Sequence, residues 1–328
     1  MGTPLSQLTT IGVGGVPAEL VECRWRDDLI EHTLGVWRTG EPWLILGGGS
    51  NLVVADEVPE LHVIRVANKG IEKLGDGHVR VQAGETWDDL VELAVNSGWG
   101  GIESLSGIPG TVGAAPVQNI GAYGQEVAGV ITRVEFVDYA THETVILTKD
   151  QLGFGYRDSI FKRGRTGLIT WVEFQFVTDL PAGSTALMQQ RRAEVLEQRA
   201  AKGMVLNPAD ADTRSCGSFF MNPIVPDRVA RTLPFEAPRW ETAEDDGLTV
   251  KLSAAWLIEN AGVPKGFRIA GSGAGLSTKH CLAITNRGGA TAYDVLQLKT
   301  FVQERVAARW GIQLVPEPNL IGFDRELD

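Results

Sequence analysis

Hydrophobic positions along the chain follow two spacings, one typical of helices and one typical of strands. Helical spacing predicts helices at Asp27–Arg38, Thr86–Ser97, Thr185–Lys202, Ser253–Ala261 and Ala292–Trp310. Short apolar runs predict strands at Trp43–Leu46, Leu52–Ala55, Val63–Val66, His78–Ala83, Val130–Asp138, Thr144–Leu147 and Leu168–Val177, with an extended tail at Gln313–Phe323. Because both element types occur along the whole chain, the pattern predicts an α+β protein.

Two segments interrupt this pattern. Gly100–Gly124 is rich in glycine and poor in charge, so it predicts a long irregular segment in which main chain can be approached closely. Glu236–Gly247 is acidic and contains Pro238, which predicts a disordered patch. The length of 328 residues allows two or three domains.

Composition and charge exclude several classes of protein. The net charge of -11 disfavours general nucleic-acid binding, because phosphate contacts require clustered Lys and Arg. No apolar run approaches the roughly 18 residues of a membrane helix, and the polar start Met1–Thr10 does not resemble a secretory leader. We therefore expect a soluble, cytoplasmic protein without membrane insertion, and we take a monomer as the expectation.

The cysteines point to the same compartment. Cys23, Cys216 and Cys281 are far apart and form no CxxC pair. This argues against a disulfide framework and against a zinc site, and it fits a reducing cytosol. We expect no metal centre.

A first candidate site follows the strand Trp43–Leu46, where Gly47–Asn51 read GGGSN. Consecutive glycine amides can approach a diphosphate and form an anion-binding nest, although a lone run of this kind is more often a plain tight turn. The run is not the G-x-G-x-x-G fingerprint, and the glycine clusters beginning at Gly12 and Gly271 fail at its last position. A Rossmann domain is therefore disfavoured.

The strongest signal is the nearly uncharged stretch Ser106–Gly124, which reads SGIPGTVGAAPVQNIGAYG. Its small residues suit a flat, bulky ligand packed against main chain, with Ser, Thr, Gln and Asn side chains placed at intervals. A purely structural glycine-rich loop is the alternative.

Together, these two runs resemble the FAD-binding region of the MurB family, the UDP-N-acetylenolpyruvoylglucosamine reductases. Thr10–Gly15 resembles that family's opening, and the similarity extends from about Leu8 to Gly322. The resemblance implies a vanillyl-alcohol-oxidase-like (PCMH-type), two-part FAD-binding domain followed by an α+β substrate-binding domain. The implied division is residues 1–66 with the tail 313–328, then 67–180, then the substrate-binding domain 181–312.

The resemblance also implies non-covalent FAD, held by main chain and small side chains of both runs. The positions expected to contact it are Gly47, Gly48, Gly49, Ser50, Asn51, Leu52, Ser106, Gly107, Ile108, Pro109, Gly110, Thr111, Gly113, Ala114, Gln118, Asn119, Gly121, Ala122, Tyr123 and Gly124.

Three further residues match the family's catalytic positions: Arg157 in YRDSIFK, Ser218 in GSFFMNP and Glu317 in PEPN. In isolation they would be interpreted as a surface ion pair, a cap or turn, and an exposed loop residue. A guanidinium can grip a carboxylate bidentately and keeps its charge at neutral pH. A serine is a weak acid, so it can protonate only a strongly basic carbon. Glu317 would have to be protonated, or to act through a shared hydrogen, to help polarise a carboxylate.

The implied reaction is reduction of UDP-N-acetylglucosamine enolpyruvate to UDP-N-acetylmuramate, with NADPH as co-substrate and FAD as hydride carrier, in peptidoglycan precursor synthesis. Tyr156, Asn222 and Lys251 are expected at the sugar nucleotide, and Lys265 and Arg268 at its diphosphate. Each of these cations is about as often a solvated surface charge.

One feature departs from part of the family, because no tyrosine lies between Arg157 and Ser218, where some members carry a mobile tyrosine loop over the substrate. Two other functions stay open. A flavin oxidase of the same wider fold often tethers FAD through histidine, but none of the five histidines lies in either glycine run. A non-catalytic flavin-binding protein would not need Arg157, Ser218 and Glu317 together.

Overall fold

A computed structural model describes residues 2–241 and 249–323. Contacts between residues divide the chain into two compact units. The first unit contains residues 17–49 and 59–200, and the second contains residues 4–16, 50–58 and the chain from 201 onward. The first unit therefore combines sequence from both predicted flavin subdomains, while the three-part division stays a prediction.

The helices are α1 (Arg26–Thr39), α2 (Trp87–Asn96), α3 (Lys149–Leu152), α4 (Ser184–Ala201), α5 (Asp227–Ala230), α6 (Ala254–Asn260) and α7 (Ala292–Trp310). The strands are β1 (Pro17–Cys23), β2 (Trp43–Leu46), β3 (Leu52–Val54), β4 (Val58–Val66), β5 (Ile71–Gly75), β6 (His78–Gln82), β7 (Gly121–Ala122), β8 (Gln125–Glu126), β9 (Ile131–Asp138), β10 (Thr144–Thr148), β11 (Gly167–Gln175), β12 (Ile224–Pro226), β13 (Arg239–Glu241), β14 (Thr249–Leu252), β15 (Ala274–Leu276), β16 (Ile284–Asn286) and β17 (Asn319–Ile321).

The first unit contains two sheets. The larger has the order β10-β9-β11-β6-β5, with every neighbouring pair antiparallel, and the smaller has the order β1-β4-β2. One face of the larger sheet packs against the apolar face of α2, around Trp87, Val172 and Phe174. Leu168 of β11 packs in a second cluster, which contains Trp37 of α1, and seven consecutive residues of β11 are buried.

The second unit contains small sheets around one apolar core. β12, β14 and β13 pair antiparallel, β15 pairs with β16, and β17 pairs in parallel with β3. The core is built around the buried faces of α6 and α7. Thr291 and Asp294 form a capping box at the start of α7, the Asp56 carboxylate accepts from the Ala292 amide, and α7 ends at Gly311 in the left-handed conformation.

The predicted helices are confirmed to within a few residues at either end, as are the predicted strands of the first 180 residues, except that β4 begins at Val58 and not at the predicted Val63. Sequence patterns missed β1 and β5, whose exposed positions give no alternation, and also the hairpin β7–β8, and β12 to β16 of the second unit. β3 was predicted, and β17 lies in the predicted extended tail. The predicted disorder of Glu236–Gly247 is wrong for Arg239–Glu241, because these residues pair with β14; residues 242–248 lie outside the described residues. Within the described ranges, no helix is both long and apolar enough to span a membrane.

The outer face of the larger sheet carries a row of alternating charges. Glu173 of β11 is 1% exposed and lies opposite Arg80 on β6 and Arg133 on β9. Arg80 Nη2 donates to Glu173 Oε1 at 2.6 Å, and Arg133 Nε lies 2.8 Å from Oε2 without hydrogen-bond alignment. On the other side, Arg80 donates to Glu72 Oε2 at 3.1 Å. A buried carboxylate is tolerated here because cations lie on both sides of it.

Replacing Glu173 by Gln should lower the free energy of unfolding by about 2 kcal/mol, because it removes charge-assisted hydrogen bonds in a buried setting. The matched control is Glu72→Gln in the same row, whose side chain is 60% exposed and should change stability little. Urea unfolding of both variants checks this, and equal transition midpoints for the two variants would contradict it.

Candidate functional site

The two glycine runs meet in the first unit through their main chains. A Cβ atom added to Gly48 would lie 2.7 Å from Cα of Gly110, and one added to Gly47 would lie 2.7 Å from Oγ1 of Thr111. No side chain larger than hydrogen fits at either position without displacing its neighbour. The two runs are therefore in contact at Gly47 and Gly48, while Ser50, Asn51 and Leu52 belong to the second unit.

The second glycine run is fastened to the connection between β6 and α2. The amides of Val112 and Gly113 donate to the carbonyls of Glu85 and Ala83, and the Trp87 amide donates to the carbonyl of Gly110. These bonds satisfy main chain that forms no regular sheet, and they fix the path of the run without using bulky side chains.

A partly buried ion pair holds the start of the same run. Arg192 on α4 donates to both carboxylate oxygens of Asp88, at 2.6 and 2.9 Å, and Asp88 Oδ1 also accepts from the Gly107 amide at 2.6 Å. Burial by itself would raise the pKa of Asp88, but the bonds from Arg192 and Gly107 lower it below its usual value. Sequence reasoning missed both side chains, since an isolated Asp in an amphipathic helix carries no sign of a distant partner.

Two residues of the run that are not glycine adopt positive φ, Asn119 at 46° and Tyr123 at 49°. Tyr123 and Gly124, at 87°, form the two-residue turn of the hairpin β7–β8, and positive φ at both positions is typical of a type I′ turn. The turn fixes the register, which places Glu126 opposite Gly121.

Arg157 lies against this hairpin. Its guanidinium donates to the carbonyl of Gly121 through Nη2 and to the carbonyl of Asn119 through Nη1, at 3.5 Å in the second case. The guanidinium also lies over the ring of Tyr156, 5.3 Å from its centroid, and Arg157 itself has a φ of 53°. A non-glycine residue in this conformation is strained, and strain of this kind often accompanies function.

In the second unit, Ser218 and Glu317 are brought close along the main chain. The Phe219 amide donates to the carbonyl of Leu282, and the Phe219 carbonyl accepts from the Glu317 amide at 2.9 Å. The Asn51 side chain donates to the Glu317 carbonyl at 3.3 Å. Phe219, the residue after Ser218, is thus hydrogen-bonded to two segments, and one of them contains Glu317.

The opening segment supports the same region. Thr10 Oγ1 donates to the carbonyl of Ser215 at 2.6 Å, three residues before Ser218. Gly217 has a φ of 72°, which a side chain would strain. The TIGVGG opening is therefore explained as a support for the serine loop within the second unit.

Cys216 is inert in this setting. Its thiol donates to the carbonyl of Leu52 at 3.4 Å, and burial, with a smaller contribution from the Glu317 charge, raises its pKa to about 12. This agrees with the interpretation of Cys216 as a small buried residue.

The expected substrate residues have different surroundings. The Asn222 Oδ1 accepts from the Ala254 amide at the start of α6, at 3.0 Å. Lys251 lies on β14, opposite Ile224 on one side and Trp240 on the other. Lys265 is exposed.

Lys265 and Arg268 are the two cations predicted for the diphosphate. Burial, followed by the charges of Lys202 and Lys265, lowers the pKa of His280 to about 4, so His280 is neutral at physiological pH. Arg268 donates to the carbonyl of Ser272 at 2.6 Å. Lys202 is therefore a further cation near this group that sequence reasoning did not select.

The main-chain surface of the first unit fits an FAD molecule. Gly48 meets Gly110 main chain against main chain, and Gly47 meets the small side chain of Thr111, so a large flat cofactor can approach the amide donors of both runs. Among the described residues, no group of three His, Cys, Asp or Glu side chains is placed to hold a metal ion.

Comparison with known proteins defines the class first. The model of an FAD binding domain family matches residues 17–148, and the model of the UDP-N-acetylenolpyruvoylglucosamine reductase C-terminal domain matches residues 207–321. The expected α+β fold, a flavin-binding domain followed by a C-terminal domain, is thereby confirmed, and the chain is an FAD-binding protein.

Individual relatives define the family. A UDP-N-acetylenolpyruvoylglucosamine reductase from Leifsonia xyli is 47% identical, over 97% of this chain and 98% of the relative, and one from Mycolicibacterium gilvum is 44% identical, over 97% and 95%. The crystal structure of UDP-N-acetylenolpyruvylglucosamine reductase (MurB) from Thermus caldophilus matches with a TM-score of 0.71 and 30% identity, over 97% of both chains. The chain belongs to the UDP-N-acetylenolpyruvoylglucosamine reductase (MurB) family.

Gly48→Ala should weaken both folding and flavin retention, because the new methyl group would overlap the main chain of Gly110. A cost of about 1–3 kcal/mol is expected for overpacking of this kind. The control is Gly35→Ala in α1, where a Cβ meets nothing within 4 Å and helix propensity should make the change neutral or stabilising. Thermal unfolding and the visible absorbance of the purified variants measure both effects; a yellow, fully stable Gly48→Ala protein would contradict the assignment.

No cysteine of the native protein should react with a thiol reagent at pH 8. Cys23, Cys216 and Cys281 are buried, and burial raises the pKa of each, to about 12 for Cys216 and about 11 for Cys281, so the thiolate is scarce. All three should titrate after unfolding in guanidinium. Rapid stoichiometric labelling of the folded protein would show this account of the thiols to be wrong.

Proposed function

We propose that this chain catalyses the NADPH-dependent reduction of UDP-N-acetylglucosamine enolpyruvate to UDP-N-acetylmuramate, a step of peptidoglycan precursor synthesis. The observation that carries the proposal is the family membership over 97% of the chain, with both the FAD-binding model and the reductase C-terminal model matched. Ser218 and Glu317 lie within the matched C-terminal domain, and Arg157 lies between the two matched parts.

Main chain of Gly47–Gly49 and Ser106–Gly124 would hold the FAD, together with Ser50, Asn51 and Leu52. When bound, this cofactor accepts a hydride from NADPH and delivers one to the enolpyruvyl group. The side-chain-free contact between Gly48 and Gly110 supports this assignment, because it leaves main-chain amides as the principal lining. The ion pair of Asp88 and Arg192 keeps the loop at Gly107 in place.

Arg157 would bind the carboxylate of the enolpyruvyl group. The bonds from its guanidinium to the carbonyls of Gly121 and Asn119 preorganise it, so little reorganisation is needed as negative charge develops beside the carboxylate. An arginine suits this role because it stays cationic over the physiological pH range.

Ser218 would donate the proton that completes the reduced product, to the carbon that bears the carboxylate. A hydroxyl can do this only because that carbon becomes strongly basic once hydride arrives. Glu317 would help polarise the carboxylate, as a protonated acid or through a shared hydrogen. The bond between the Glu317 amide and the Phe219 carbonyl supports a coupled position for the two residues.

The finer assignments follow from this function. Asn222, Lys251 and Lys265 would contact the sugar nucleotide, with Tyr156 near the reacting group, and the enzyme would work as a monomer in the cytoplasm, where NADPH and the nucleotide substrate are available. The three free, buried thiols are consistent with a reducing compartment.

Ser218→Ala should leave bleaching of the flavin by NADPH unchanged and should slow product formation by about 100-fold or more, since only the proton donor is lost. Stopped-flow absorbance separates the two half-reactions, and Ser97→Ala, an exposed serine, is the control. Normal recovery of flavin absorbance with the enolpyruvyl nucleotide would remove Ser218 from the mechanism. A wild-type protein that bleaches with NADPH but recovers only with oxygen would favour an oxidase instead.

A further inference from the structure

Glu126 is a carboxylate beside Arg157 to which neither the sequence analysis nor the proposed mechanism gives a role. Its Oε1 lies 3.8 Å from Arg157 Nη1, while its Oε2 accepts from the Asn119 side chain at 2.8 Å. The Arg157 side chain is 18% exposed and that of Glu126 is 42% exposed. The pair is therefore close enough to interact, although its separation is longer than that of a hydrogen-bonded ion pair.

One buried residue, Asn119, contacts both partners of this arrangement: Glu126 through its side-chain amide and Arg157 through its main-chain carbonyl. The Asn119 side chain donates to Glu126 and to the carbonyl of Gly155, at 2.9 Å in the second case, and its Oδ1 accepts from the Ala128 amide at 3.1 Å. Its own carbonyl accepts from Arg157. Asn119 is 1% exposed, so these bonds form away from solvent, where misplacing them would be costly.

The hairpin leaves space for the two charged side chains. A Cβ on Gly121 would lie 2.8 Å from Arg157 Nη1 and 2.9 Å from Cγ of Glu126. Gly121 lies opposite Glu126 in the β7–β8 pair, a register that the type I′ turn sets. Because Gly121 has no side chain, the Glu126 carboxylate can lie beside the guanidinium.

We propose that Glu126, held by Asn119, is a positioning residue for Arg157: it is a resident counter-ion that orients the guanidinium but does not itself touch the substrate. This inference rests on the proposed function, because it assigns Glu126 to the site at which Arg157 would bind the enolpyruvyl carboxylate. Asn119 restrains Oε2 of Glu126 by a hydrogen bond. Glu126 therefore does not form a hydrogen-bonded ion pair with Arg157, which would compete with the substrate carboxylate for the guanidinium.

A positioning role for Glu126 and a merely structural role predict different effects on the binding of substrate. A substrate carboxylate on Arg157 would lie near a second negative charge, so Glu126 should weaken the binding of that ligand while improving the orientation of Arg157. Removing the charge should therefore tighten binding and slow turnover, two effects of opposite direction.

The test is Glu126→Gln in the FAD-loaded enzyme. Isothermal titration calorimetry without NADPH should show the enolpyruvyl nucleotide binding about threefold to tenfold more tightly, the size expected for one like charge partly screened by solvent. UDP-N-acetylglucosamine, which lacks the carboxylate, should bind as it does to wild type. In stopped flow, flavin reduction by NADPH should stay within about twofold and the step that consumes the enolpyruvyl nucleotide should slow about tenfold or more.

Glu143→Gln, which removes the same charge from the exposed turn between β9 and β10, is the control and should match wild type in every measurement. If Glu126→Gln loses FAD or fails to fold, Glu126→Asp keeps the charge and shortens the side chain; it should slow the second step without tightening the binding of the carboxylate ligand. Unchanged binding and turnover in Glu126→Gln, or equal changes for both ligands, would overturn the proposal. A wild-type enzyme that fails to reduce the enolpyruvyl nucleotide would overturn the proposed function instead.

Discussion

The first unit depends on places where one main chain must pass another, or a guanidinium, without any intervening side chain. Gly48 against Gly110 and Gly121 against Arg157 are two instances, each with an added Cβ closer than 3.0 Å to its neighbour. These contacts are steric and allow no compensation from a flexible partner, because the nearest atoms are main chain or a guanidinium fixed by carbonyls. The two glycine runs, the position of Arg157 and the hairpin that carries Glu126 all depend on this single constraint.

The sequence predicted the regular elements of the first unit well, because α1, α2, β6, β9 and β11 each bury one continuous apolar face or run. Failures occurred where burial is incomplete. All five residues of β5 are exposed, so only pairing with β6 makes it a strand. The parallel pair of β3 and β17 joins segments from opposite ends of the chain, and no local pattern indicates such a partner.

The same difference between local patterns and distant contacts applies to the candidate site residues. Arg157, Ser218 and Glu317 were selected through resemblance to a family, since each would otherwise have been interpreted as an ordinary surface or turn residue. The supporting contacts could not be predicted, because they join distant positions: Asp88 with Arg192, Asn119 with Gly155, and the Glu317 amide with the Phe219 carbonyl. Asn119 was selected as a polar residue among glycines, but the three bonds of its side chain required coordinates.

The second unit is assembled from three separated stretches, residues 4–16, 50–58 and 201 onward, and β17 supplies the partner of β3. During synthesis, residues 50–58 leave the ribosome long before that partner exists. The first unit can form its own contacts from residues 17–49 and 59–200 in the meantime, whereas the pairing of β3 has to wait until β17 has been synthesised. Until then β3 is an unpaired strand, and growth of the chain, rather than local folding speed, sets when its edge is covered.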